Sequence, residues 1–230
     1  MAIKILGICG SPIKGGNTET ILDLALKSAA EVPDVETEMF NVAHKKFMGC
    51  LHCNWCLNKQ TEGPEDKFCA QKDDVSPLYP KIIEADGLLI ATPVYFHRCS
   101  WQTAAVIDRQ RCLVEGKRYR RNPVLLDKVL GGLAVAWFRN SGLETALLVI
   151  HEFATIIGAL EVGGVAAVSS LDGTGRIDLE APDDKLLVLR DERVVRGTRA
   201  LGKRIAEVCR KLKVGEEALA RMESETEVVG

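Results

Sequence analysis

No stretch of this chain stays apolar for the roughly 18–20 residues that a membrane-crossing helix needs. Strong net charge is missing too. The 30 basic and 32 acidic side chains leave a formal charge of −2, so the field of a dedicated nucleic-acid binder is absent. No Gly/Ser-rich linker divides the chain, and no internal repeat appears. The opening MAIKILGICGSP turns glycine-rich too soon for a secretory leader. The dinucleotide fingerprint G-x-G-x-x-G is absent after the first apolar run. Gly10 and Gly15 stand at the spacing of a triphosphate-binding loop, but Gly16-Asn17 occupies the place of the required Lys-Ser/Thr. No paired carboxylates and no Ser–His–Asp order support hydrolytic chemistry.

What is present is an ordinary globular composition in 230 residues, with 47% hydrophobic and 27% charged side chains. That length suits one large domain with its own core. Eight cysteines occur, and three of them, Cys50, Cys53 and Cys56, sit at two-residue gaps. Disulfide scaffolds rarely bunch cysteines so tightly, whereas metal sites do. A reduced, cytoplasmic protein is expected.

Short apolar runs alternate with amphipathic segments. Strands are predicted at 3–8, 36–41, 87–92, 129–136 and 161–168, with helices at about 17–30, 76–85, 101–109, 143–157 and 191–212. Asn17 is a candidate cap for the first helix. Such alternation predicts an α/β fold with a parallel sheet covered on both faces. Ligands then bind at the carboxyl ends of the strands, near the topological switch point. The loops to inspect are therefore 9–18, 93–100 and 137–144. Residues 48–74 break the pattern as a cysteine-rich insert, and 214–230 read as a loose acidic tail after a domain spanning 1–213.

The loop CGSPIKGGNT combines small residues, the Ser11 and Thr18 hydroxyls and backbone N–H groups at a helix start. This combination suits one terminal phosphate; the plain alternative is a tight strand–helix turn. In TPVYFHRCS, Pro93, Tyr95 and Phe96 offer a flat apolar edge for a ring system, or simply pack beneath a loop. In WFRNSGLET, Asn140, Ser141 and Gly142 offer hydrogen-bonding groups, or cap a helix. One phosphate loop and two ring loops fit a mononucleotide better than a dinucleotide. The run Lys117–Arg121 reads as a solvated basic loop, a partner surface or a clamp on a pyridine-nucleotide phosphate being the alternatives.

GSPIKGGNT, EADGLLIATPVYF and the Ile107-Asp108-Arg109 triplet resemble the NAD(P)H-dependent FMN reductase family of flavodoxin-like proteins, over roughly residues 1–213. The resemblance implies a doubly wound five-stranded parallel sheet of order 2-1-3-4-5, with the insert after strand 2. It implies FMN phosphate at Ser11, Asn17 and Thr18, with Pro12 and Gly16 in the same loop. Pro93, Val94, Tyr95 and Phe96 would border the isoalloxazine, joined by Asn140, Ser141 and Gly142. It also implies NAD(P)H as a possible donor and a homodimer or homotetramer, with neither nucleic acid nor membrane as partner.

Cys50, Cys53 and Cys56 can occupy three corners of an iron–sulfur cubane, with a fourth ligand from further along. Cys69 follows after a gap of 12 residues. Insert and FMN loops together resemble the iron–sulfur flavoproteins, which carry a 4Fe–4S cluster beside FMN; their compact motif has a shorter last gap. That resemblance implies Cys50, Cys53, Cys56 and Cys69 as cluster ligands and electron transfer between cluster and FMN. Zinc or free thiols remain alternatives for the cysteines. For the chain as a whole the alternatives are an FMN or quinone reductase without a cluster and a non-catalytic flavin- or zinc-binding regulatory module. Cys9, Cys112 and Cys209 read as small buried hydrophobes, Cys99 as a neighbour of the ring loop and His52 as an exposed loop residue.

Overall fold

The computed structural model describes residues 2–119, 125, 127–170 and 186–229. Its strands are β1 (Ile3–Cys9), β2 (Val35–Asn41), β3 (Gly87–Tyr95), β4 (Arg98–Cys99), β5 (Val129–Ala136) and β6 (Leu160–Val168). Its helices are α1 (Asn17–Ala29), α2 (Trp55–Asn58), α3 (Leu78–Glu84), α4 (Trp101–Arg109), α5 (Arg111–Val114), α6 (Leu143–Ile157) and α7 (Glu192–Val229). Five strands run parallel in the order β2-β1-β3-β5-β6, as the apolar runs predict. The chain reverses its winding direction between β1 and β3, so the crevice above their carboxyl ends is the natural ligand site.

Central strands are apolar on both faces because helices cover both. Ile3 and Ile5 of β1, with Leu89 of β3 and Leu133 of β5, pack against α1 and α7. Their alternates Leu6, Ile8, Leu88, Ile90 and Leu130 pack against α3 and α6. The second face also carries the insert, through Cys56 and Phe68.

Two expectations need correction. A sixth strand exists: β4 turns back antiparallel on the end of β3, pairing Val94 with Cys99 and Tyr95 with Arg98, within a segment read as loop. In place of a loose tail after residue 213, α7 continues to Val229. Residues 216–223 are all Glu, Ala, Leu, Arg or Met, strong helix formers that extend a helix already nucleated on the sheet. Val214, Leu219 and Met222 are exposed there. Arg120, Arg121 and the turn signals at 171–185 lie outside the described residues.

At the amino edge of the sheet, Lys128 is buried, and its Nζ donates to the carbonyls of Ile83 and Ala85. Burial pushes its pKa down to about 8. This edge is opposite to the one bearing the loops described next. No helix among the described residues is long and apolar enough to cross a membrane.

Candidate functional site

The loop after β1 is fastened from beneath by buried hydroxyls. Ser100 Oγ donates to the Gly10 carbonyl at 2.6 Å and lies 2.9 Å from Thr103 Oγ1, which donates to Thr92 Oγ1 at 3.0 Å. A Cβ at Gly10 would sit 1.8 Å from Thr103 Oγ1, so only glycine lets the loop descend onto this network. Ser11 closes its own turn: its Oγ accepts from the Ile13 N–H at 3.1 Å and donates to the Ile13 carbonyl at 3.3 Å.

Gly16, and not Asn17, is the N-cap of α1, with no side-chain cap. Asn17 instead anchors the turn before α7: its Oδ1 accepts from the Val188 N–H at 2.9 Å. That engagement leaves the Nδ2 donor end for an anion. The first-turn N–H groups of an uncapped helix are themselves an anion site. Glu19 accepts from the Gly15 N–H at 2.7 Å and from Asn41 Nδ2 at 2.6 Å, which fixes the back of the loop.

The ring loop is a hairpin. Phe96 and His97 both have positive φ, 48° and 60°, the pattern of a two-residue type I′ turn. Phe96 is 97% exposed at the tip, and Tyr95 is partly exposed beside it. The 138–142 loop docks onto this hairpin. Gly142 has φ +94°, and a Cβ there would lie 2.3 Å from the His97 Cα, so a side chain would push the two loops apart. The sequence left Asn140 or Ser141 as caps of α6. Gly142 is the cap, without side-chain help. The Ser141 hydroxyl donates to the Phe138 carbonyl at 2.6 Å, and Asn140 is exposed in a left-handed conformation. All three predicted loops therefore gather at one edge, with two uncapped helix N-termini among them.

The insert holds a second cluster. Cys50, Cys53, Cys56 and Cys69 line one small hollow, together with Arg109 and Arg111. Cys50 and Cys53 are exposed, Cys69 is half-buried and Cys56 is buried. Little regular structure shapes this loop. Instead, Gln60, fully buried, donates from Nε2 to the carbonyls of Phe68 and Cys112 at 2.9 Å each, and its Oε1 accepts from the Arg118 N–H. That one side chain ties the segment before Cys69 to α5. Arg109 clamps the other side: it donates to Asp73 at 2.7 and 3.3 Å, to the Met48 carbonyl at 3.0 Å and to the Tyr79 hydroxyl at 2.9 Å.

Burial raises the Cys56 pKa, the nearby Arg111 opposes that shift, and the charges of Cys69, Cys50 and Cys53 add to it. Among the described residues no three His, Cys, Asp or Glu side chains converge on a single metal-ion position. A cubane does not ask for that, because each thiolate binds its own iron. Four cysteines around one hollow with two guanidiniums beside them fit an anionic, thiolate-held cluster.

Cys9 and Cys209 are buried core residues, as expected. Cys112 is also buried, but it borders the hollow. Cys99 is buried against Ala134, Leu143 and Ala146. Exposed His52 has its Nδ1 3.2 Å from Arg111 Nη1. Sequence reasoning missed Arg111, Gln60 and Asp73. Only Arg109 carried a signal, as the end of the Ile107-Asp108-Arg109 triplet.

The parallel sheet with loops gathered over its switch point defines a flavodoxin-like protein. Solved structures agree on the fold. One is RosB, crystallised with an 8-demethyl-8-formylriboflavin-5'-phosphate intermediate: TM-score 0.67 and 20% identity, covering 98% of this chain and 88% of that one. Another is a WrbA-like flavodoxin from Agrobacterium tumefaciens: TM-score 0.52 and 14% identity, covering 92% of this chain and 99% of that one.

Sequence comparison is more specific. The model of the NADPH-dependent FMN reductase family matches residues 3–172. An iron–sulfur flavoprotein of Methanocaldococcus jannaschii is 36% identical over 211 residues, 92% of this chain and 100% of that protein. One from Archaeoglobus fulgidus is 35% identical over 210 residues, 90% of this chain and 98% of that protein. The chain belongs to the NADPH-dependent FMN reductase family of flavoprotein oxidoreductases, on its iron–sulfur flavoprotein branch.

Proposed function

We propose that this protein passes electrons between a 4Fe–4S cluster on the insert and FMN at the carboxyl edge of the sheet. The observation that carries the reading is the meeting of Cys50, Cys53, Cys56 and Cys69 at one hollow, although Cys69 lies far from the others in sequence. When bound, FMN supplies one- and two-electron chemistry, and the protein positions and tunes it.

In this reading the chain's own residues take the following roles. Thr18, the Asn17 amide and the first-turn N–H groups of α1 bind the phosphate, and Ser11 holds the turn that presents them. Pro12 and Gly16 keep the loop narrow. Pro93, Val94, Tyr95 and Phe96 border the ring on one side, and Asn140, Ser141 and Gly142 on the other. No acid–base side chain is needed. NAD(P)H or a protein donor supplies electrons from outside.

Anaerobic purification with iron, sulfide and flavin analysis tests this. About four irons per chain beside one FMN are expected, with the iron lost or the cluster converted in Cys69→Ser. Iron-free protein after anaerobic reconstitution, still binding FMN, would leave a plain FMN or quinone reductase.

A further inference from the structure

Two guanidiniums line the cysteine hollow, and their surroundings differ. The Arg109 side chain is completely buried, and its partner Asp73 is only 15% exposed. Asp73 holds it through both carboxylate oxygens, and the Met48 carbonyl and Tyr79 hydroxyl take further bonds. At the hollow, Arg109 and Asp73 together act as a nearly neutral pair. Arg111 stands at the mouth. Its Nε donates to Glu115 at 2.7 Å, its Nη1 meets His52 Nδ1 at 3.2 Å, the His52 backbone N–H donates to Cys50 Sγ at 3.4 Å, and Arg111 and Cys50 line the same hollow. Glu115 is 54% exposed, so water screens most of its charge. Of the two guanidiniums facing the thiolates, Arg111 is therefore the less fully compensated.

We propose that the Arg111 guanidinium, set beside Cys50 at the mouth of the four-cysteine hollow, raises the reduction potential of the cluster held there. The proposal rests on the cluster reading above. Reduction adds one electron to the cluster and its four thiolates, taken from reduced FMN or an external one-electron donor. No bond forms or breaks, and no proton is required. The assembly becomes more negative by one charge, and a nearby cation stabilises that state more than the oxidised one. A higher potential favours electron flow from reduced FMN into the cluster. Arg111 is thus a positioning and tuning residue, acting through Cys50 and the field.

The test is an anaerobic dithionite titration of the full chain with redox mediators, read by the electron paramagnetic resonance signal of the reduced cluster, with iron and sulfide counted in every sample. Arg111→Gln is expected to lower the one-electron reduction equilibrium about tenfold, or about 59 mV. Arg111→Lys keeps the charge and should recover most of that loss. Glu115→Gln frees the guanidinium from its anion and should shift the potential the opposite way, upward. Shifts of the same sign in Arg111→Gln and Glu115→Gln, or no shift in either while iron stays at the wild-type count, overturn the proposal. If Arg111→Gln takes up no cluster, the signs in Arg111→Lys and Glu115→Gln decide. Absence of iron from the reconstituted wild type is a different failure, that of the cluster reading itself.

Discussion

The loop after β1 and the cysteine hollow, both proposed to hold an anionic group, are built from opposite materials. The phosphate loop is mostly backbone. Its donors are N–H groups at the start of α1, and its shape comes from Gly10 resting on Thr103. The hollow is almost all side chain: four thiols, two guanidiniums and the Gln60 and Arg109 clamps. A backbone site is fixed by the fold around it, and its N–H donors cannot be removed by changing a side chain. A side-chain site on an irregular loop depends on a few contacts, each of which can be removed singly.

Removing one member of the buried clamp is the strongest way to break this contrast. Asp73→Ala leaves the Arg109 charge buried and unpaired, and is expected to destabilise the protein by about 3–5 kcal/mol. Glu115→Ala, at an exposed pair, should cost less than about 1 kcal/mol. Urea unfolding of both variants measures the difference; equal losses would show that the two arginine pairs carry similar weight.

A smaller effect is expected at the phosphate loop. Ser11→Ala with Thr18→Ala should weaken FMN at least tenfold, since a bond to a charged oxygen contributes roughly 1.5–3 kcal/mol. Riboflavin should bind more weakly than FMN to the wild type and lose little in the variant. Fluorescence titration checks both. Cys56→Ser should leave FMN affinity within about threefold; a larger loss would mean that the two sites are not independent.

Alkaline pH probes the core beneath α1 and α7. Burial pushes Cys9 and Cys209 up to about 12 from about 9. Their contribution to stability is complete below pH 9 and lost as pH rises from 9 towards 12, because the unfolded thiols release protons first. Lys128 acts oppositely: its folded pKa of about 8 lies below the ordinary 10.5, so stability rises between those values. Burial raises the Cys112 thiol as well, so three thiols oppose one lysine above pH 9. Stability should pass a maximum near pH 9 and then fall by roughly 2.7 kcal/mol per pH unit. Thermal melts from pH 7.5 to 10.5 locate the maximum, and Cys209→Ala should flatten the fall.

The smallest effect is expected for truncation after Lys213. The exposed end of α7 adds little to the core, so melting temperature should drop by no more than about 2–4 °C with FMN binding intact. A larger drop would show that this helix docks on another chain.

Much of the fold was legible in advance. Periodicity placed the five parallel strands, and the chain order of strands and helices set their crossovers. The small hairpin at 94–99 was not legible, because two positive-φ residues without glycine, Phe96 and His97, gave no turn signal. Nor was the continuation of α7, since a helix already held by the sheet extends through residues that lack an apolar face of their own.

At the sites the division is similar. The sequence by itself determined which loops to inspect for a phosphate and that three cysteines sit together, because loop position after a buried strand and two-residue cysteine spacing are local properties. Only the tertiary structure showed that Cys69, expected from the resemblance, lies at one hollow with Cys50, Cys53 and Cys56, that Arg109 is matched by a nearly buried Asp73 while Arg111 pairs with an exposed Glu115, and that Asn17 turns its acceptor to Val188. Apart from the Arg111–Glu115 pair, those relations join residues 13 to 171 positions apart. They depend on which helices the sheet brings together and on which charges are left facing water, and no local spacing encodes either.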